Sequence, residues 1–187
     1  MENFFAQDGN QYLLTLIGTV VIALAGYIIT YRNNLRIANR KARLERVNKQ
    51  LEKLYGPLYS LLNASRDAWE DYVKKHETFH SDYEQGKSVP EEELKSWREL
   101  YRHVFDPINE RMYDTITDNA DLIIESEMPE PFKKLILHIL DFKIILRKWE
   151  TGKETRALAS NDFPEEIHEY VERKFKYLKQ VQHSLLR

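Results

Sequence analysis

The sequence predicts an all-α protein, with one N-terminal transmembrane helix followed by a cytoplasmic bundle of four to five helices. Three observations carry this prediction. Residues 12–31 form a run of twenty uncharged side chains. From Val47 onwards, apolar residues recur at three- and four-residue steps, the period of an amphipathic helix. No alternating apolar–polar run bounded by turn residues occurs, so a sheet is not expected.

Composition narrows the function classes. The chain has 187 residues and no cysteine, which excludes a disulfide scaffold, a thiol nucleophile and a thiolate metal site. Six glycines, six prolines and 31% charged residues argue against a collagenous or broadly disordered chain. A formal net charge of −2 gives no general reason to expect nucleic-acid binding.

The first element is the span Tyr12–Tyr31, YLLTLIGTVVIALAGYIITY. Twenty helical residues rise about 30 Å, the thickness of a bilayer's hydrocarbon core. Tyr12, Tyr27 and Tyr31 lie near its ends, where an amphipathic ring suits the headgroup layer. Ala23-Leu24-Ala25 resembles a signal-peptide cleavage site, but residues 1–11 carry Glu2 and Asp8 and no basic residue, whereas a signal peptide needs a basic start. Beyond the span, eight Lys and Arg face only Glu45 and Glu52 across residues 32–53, a net charge of +6. The positive-inside rule therefore keeps the span as a membrane anchor, with residues 1–11 outside and 32–187 in the cytoplasm. Arg32, Arg36, Arg40, Lys41 and Arg43 are the candidates for lipid headgroup contact. Residues 54–187 carry a net charge of −6, so an acidic body follows a basic collar.

Within the span, Thr15, Thr19, Ala23, Gly26 and Thr30 fall on one helical face. Small and hydroxyl side chains let membrane helices approach closely and exchange hydrogen bonds. This stripe is the candidate face for self-association or a pore.

A basic juxtamembrane helix is expected over residues 32–56, with Val47, Leu51, Leu54 and Tyr55 on one side. Gly56-Pro57 is expected to kink or briefly break it, because proline lacks an amide donor and clashes with the preceding turn. The cytoplasmic bundle then occupies residues 57–187. Its first helix runs to about His80, with Leu58, Leu62, Trp69 and Tyr72 in its stripe, and Ser81–Val89 reads as a loop. Ser88 and Glu91 suggest a capping box for a helix carrying Leu94, Trp97 and Tyr101. Asp106-Pro107 reads as a new helix start, with a stripe running through Met112 and Ile116 to Ile123, and Pro129 with Pro131 as another start. Eleven of the eighteen residues from Phe132 to Trp149 are apolar, which predicts the most buried helix. After a polar loop at 151–162, a last helix carries Ile167, Tyr170, Val171, Lys174, Leu178, Val181 and Leu185.

Two motifs bear on chemistry. His76-Glu77-Thr78-Phe79-His80 is an HExxH sequence and resembles the zincin metallopeptidase signature, which implies zinc on His76 and His80 with Glu77 activating a water. Against it stand Lys74 and Lys75, which repel a dication, the lack of an evident third ligand, and the lack of a sheet to hold substrate. Arg98-Glu-Leu-Tyr-Arg-His103 resembles the motif of HEPN-type ribonucleases, in which an Arg and a His from two copies act on an RNA phosphodiester. Here the residue after Arg98 is acidic, and five residues on an α-helix set Arg98 and His103 about 140° apart. His138, His168 and His183 read as hydrogen-bonded core or surface residues. No Gly-rich phosphate loop and no Ser-His-Asp arrangement is present.

Leu51-Glu-Lys-Leu-Tyr-Gly-Pro-Leu-Tyr59, placed soon after an anchor and a basic helix, looks like the junction of a broad set of bacterial single-pass membrane proteins. Anchor, helical bundle and a degenerate Arg-x4-His are together similar to the membrane-pore accessory proteins found beside RNA-guided CRISPR ribonucleases. That resemblance implies rings of subunits whose N-terminal helices surround a pore and disturb the membrane in response to phage. The expectation is a non-enzymatic inner-membrane homo-oligomer that needs no cofactor and alters membrane permeability in antiviral defence or stress. Its partners would be the bilayer and a cytoplasmic protein or RNA-guided complex. The alternatives are a membrane-anchored enzyme, working through His76, Glu77 and His80 or through Arg98 and His103, and a non-catalytic scaffold.

Overall fold

The structure is a computed structural model that describes residues 2–85, 87–152 and 162–187, with side chains described from Tyr12 onwards except at 80, 83 and 84. All regular structure among these residues is helical, without a strand. The chain divides into two compact units, residues 1–45 and 46–187.

Helix α1 spans Glu2–Lys49. Within the first unit, no residue of its most apolar stretch is buried. Tyr12, Leu13, Ile17, Ile22 and Ile29 are all exposed, so the apolar surface runs around the whole circumference rather than along one stripe. Tyr27 and Tyr31 stack one turn apart, with ring centroids 6.2 Å from each other.

In the second unit, the backbone passes from α1 through a π-helical turn, Gln50–Tyr55, into α2, Gly56–Lys75. The expected break at Gly56-Pro57 does not occur. The Gly56 N–H donates to the Leu51 carbonyl five residues back, a widened turn that accommodates the proline while the backbone stays helical. Gly56 is required here, because a β-carbon would lie 2.3 Å from the Leu51 carbonyl oxygen. The same device recurs at Pro107. Helix α4, Glu91–Leu100, runs into a π-helical turn, Tyr101–Phe105, and then into α5, Asp106–Asp118. Asp106-Pro107 is therefore not a fresh start, and the Asp106 N–H reaches back to the Tyr101 carbonyl.

Three other boundaries differ from expectation. Helix α2 stops at Lys75, His76 leaves helical geometry at φ −129° and ψ 37°, and a separate helix α3 covers Glu77–Glu84. Pro90 rather than Ser88 precedes α4, and no side chain caps it. The α5 stripe ends before Ile123, which follows a short 3-10 turn at Ala120–Leu122.

Helix α6, Glu130–Glu150, and helix α7, Glu166–Leu186, complete the unit. Helix α2 packs on α5 and α7, and α6 on both α5 and α7. As expected, α6 holds more buried residues than the other helices among the described residues, yet it has an outward side: Phe132, Leu135 and Ile139 are fully enclosed, while Leu137 is 51% and Ile144 58% exposed.

Two hydrophobic clusters form. The larger is mainly aliphatic and gathers Leu54, Leu58, Met112, Ile116, Leu135 and Ile167 around Tyr55 and Phe132. Its polar edge is fully used. The buried Gln50 donates to the Leu122 carbonyl at 2.9 Å, and the Tyr55 hydroxyl accepts the Ile124 N–H at 3.3 Å. Lys174, the odd member of the last apolar stripe, forms a salt bridge with Glu125, which also accepts the Tyr170 hydroxyl at 2.9 Å. Burial pushes the Glu125 carboxyl up, but the Lys174 and Tyr170 donors outweigh it and hold it below its ordinary value. The smaller cluster is aromatic and gathers Tyr72, Phe79, Trp97, Tyr101 and Phe105 with Leu94 and Leu146.

Candidate functional site

The aromatic cluster borders a cavity of about 810 Å³ in the second unit. Small-molecule sites commonly measure roughly 300–1,000 Å³, so this volume suits a ligand of drug size. Helix α2 supplies Arg66, Trp69, Glu70 and Tyr72, because three- and four-residue steps place them on one face. The second π-helical turn contributes Tyr101 and Phe105, which a regular α-helix would hold on adjoining turns of one stripe. Phe142 and His138 come from α6, and Phe163 and His168 from the last helix and its approach.

Its rings meet at angles from nearly parallel to nearly perpendicular. Trp69 is edge-on to Trp97, with centroids 5.9 Å apart and planes 68° apart, and edge-on to Phe105 at 6.3 Å. Tyr101 stacks flat on Phe142 at 4.2 Å, and its hydroxyl accepts from Asn109 Nδ2 at 3.0 Å. Burial pushes the Tyr101 hydroxyl far above its ordinary pKa, and Asp106 adds to the effect, so Tyr101 stays neutral. The buried His138 ring lies 4.9 Å from Phe142 and edge-on to Phe163 at 5.4 Å. His168 is held below its ordinary value, first by burial and then by the Arg66 guanidinium, against the pull of Glu165 and Glu70. It is therefore neutral at neutral pH and presents ring nitrogens as hydrogen-bonding groups.

The sequence motifs lie elsewhere. His76 occupies the break between α2 and α3, where its ring stacks on Tyr72 at 4.6 Å, so the HExxH residues do not share one uninterrupted helix. Glu77 is exposed, and the His80 side chain lies outside the described residues. Among the described residues no group of three or more His, Asp or Glu side chains converges as a metal site would. Arg98 lies in the last turn of α4 with Nη1 3.4 Å from Glu91 Oε1, while His103 sits in the π-helical turn with Nε2 3.1 Å from Glu99 Oε2. Each meets a carboxylate of its own helical stretch.

In the first unit, Thr15, Thr19, Ala23, Gly26 and Thr30 are exposed, and a β-carbon added at Gly26 would touch nothing within 4 Å. The Thr19 hydroxyl returns to the Thr15 carbonyl at 2.9 Å. Arg32, Arg36, Arg40, Lys41 and Arg43 are exposed as well, whereas Arg46 donates to the Asp121 carbonyl at 3.2 Å.

The nine-residue junction has a structural account. Leu54, Tyr55 and Leu58 are fully buried, Gly56 permits the close turn, and Tyr59 stacks parallel on Phe175 at 4.8 Å. No protein-family model, curated protein or solved structure matches the chain. The cavity is the site that reasoning from the sequence missed. Its rings were legible one stripe at a time, as Trp69 with Tyr72 and Trp97 with Tyr101, but only the packing of separate helices brings those stripes together.

Proposed function

We propose that the protein is a single-pass bacterial inner-membrane protein that self-associates through its anchor and alters membrane permeability, as an antiphage or stress effector. Its amino end lies outside and residues 32–187 lie in the cytoplasm. One observation carries this reading: residues 12–31 expose apolar side chains on every side of a helix long enough to cross a bilayer. In water such a surface would be an aggregation hazard, whereas in lipid it is solvated. The exposed basic residues that follow support the inward orientation, since they would sit beside anionic headgroups.

The small and hydroxyl side chains of Thr15, Thr19, Ala23, Gly26 and Thr30, all exposed, support self-association. A single helix with a small-residue stripe gains from a second helix against it, because close backbone approach restores the dispersion contacts that the stripe lacks. Helices gathered on that stripe would carry the threonine hydroxyls into the assembly, where they could interrupt the apolar barrier.

Mass photometry of detergent-solubilised protein tests the reading. Oligomers that dissociate in Ala23→Ile/Gly26→Ile, together with dye uptake by expressing cells that the same substitutions abolish, are expected. A strictly monomeric species would contradict it.

A further inference from the structure

We propose that the aromatic cavity of the second unit binds a bulky organic cation, enclosed by Trp69, Tyr72 and Trp97 and drawn in by the carboxylates of Glu70, Asp162 and Glu165. The site stands independently of the membrane reading, because all of its residues belong to residues 46–187.

Shape is the first consideration. A cavity of about 810 Å³ walled by aromatic rings accepts an apolar body larger than a simple metal ion or an amino group. The three enclosing rings are inclined to one another: Trp69 to Trp97 at 68°, Trp69 to Tyr72 at 33° and Tyr72 to Trp97 at 36°. Rings that are not coplanar can offer a bound group faces as well as edges. Such faces attract cations and repel anions.

Charge is the second. The ionisable lining comprises Glu70, Asp162 and Glu165 against Arg66, and Arg66 Nη2 is already engaged by Asn63 Oδ1 at 2.6 Å. Counted over these four side chains, the lining carries a formal net charge of −2. A phosphate or carboxylate ligand would face three carboxylates with one guanidinium to meet it. The acidic groups are exposed while the rings are largely buried, so charge stands at the mouth and apolar surface beneath it. That arrangement favours an ion whose charge is spread over a hydrophobic body and whose desolvation cost is small.

The test uses the full chain in an uncharged detergent, with tetraphenylphosphonium as the probe. Tetraphenylborate, of the same shape and opposite charge, is the control. Trp69 and Trp97 make intrinsic fluorescence a reporter of occupancy. Saturable quenching at one probe per chain is expected, with tetraphenylborate at least about tenfold weaker, a difference of roughly 1.4 kcal/mol. Glu70→Gln/Asp162→Asn should weaken tetraphenylphosphonium by about tenfold at an unchanged unfolding midpoint, since both residues are exposed. Partition into the micelle would be the same for the parent and this variant. Equal binding of the two probes, quenching that never saturates, or unchanged affinity in the double variant would each overturn the proposal. None of those results would bear on membrane anchoring or self-association.

Discussion

The two units use the same apolar residue types in opposite ways. Ile22 is 75% exposed in the first, while Ile167 is fully buried in the second. Leu14, Leu16 and Val21 present most of their surface, whereas Leu58, Leu135 and Val171 present almost none. Hydrophobicity alone cannot account for both, because burial of apolar surface drives folding only where the alternative is water. The contrast is explained if residues 12–31 have lipid as their solvent and residues 46–187 have water. The first unit then gains nothing from folding onto itself, and the second must close a core.

That contrast can be broken most forcefully in the aliphatic cluster. Phe132→Ala should cost about 3–5 kcal/mol, as an enclosed ring is replaced by a cavity. Ile22→Ala should leave the same denaturant midpoint of the full chain in detergent unchanged. A comparable loss in both variants would mean that Ile22 is buried in water-excluding protein. The reciprocal test places charge in the first unit. Val21→Arg should disfavour membrane insertion by about 2.5–3.5 kcal/mol on the translocon scale, seen as a shift of protein from the membrane to the soluble or degraded fraction.

Legibility divides along the same line. The long apolar helix was readable because twenty uncharged residues need no partner to be recognised, and α7 because its stripe keeps step from Ile167 to Leu185. The π-helical turns were not. Gly56-Pro57 and Asp106-Pro107 carry the composition of a break, and only packing shows that the backbone widens instead. The outward side of α6 is not legible either, because Leu137 and Ile144 count as apolar in the sequence whichever way they face. In both turns an aromatic residue precedes the Gly-Pro or Asp-Pro pair, Tyr55 in one and Phe105 in the other, which is the shared signal that could have linked them.

The two turns sharpen the comparison at a finer scale. Gly56→Ala should cost about 1–3 kcal/mol, because the new β-carbon meets backbone that cannot move aside. Asp106→Ala, at the equivalent position of the second turn, should change stability by only about 0.5 kcal/mol, since a side chain is already accommodated there.

A smaller effect lies in acid titration. Glu125 is held below its ordinary value, so the stability it contributes is fully present above the unfolded carboxyl range and is lost as pH falls through the folded value. Glu125→Gln should cost about 1 kcal/mol at neutral pH and flatten the acid limb of the pH–stability curve. Asp106 is shifted the other way, by burial first and by Glu110 next. Its contribution is present below the unfolded carboxyl value and is lost as pH rises through the folded one, so Asp106→Asn should stabilise the protein at neutral pH. An acid limb unchanged in Glu125→Gln would remove the Lys174–Glu125–Tyr170 network from the account.

The absence of cysteine makes the decisive measurement clean. Single variants Asn3→Cys and Ser184→Cys can be treated in intact cells with a membrane-impermeant maleimide. The account predicts labelling of Asn3→Cys in intact cells and of Ser184→Cys only after the inner membrane is permeabilised. Labelling of Ser184→Cys in intact cells, or recovery of full-length protein in the soluble fraction, would contradict it.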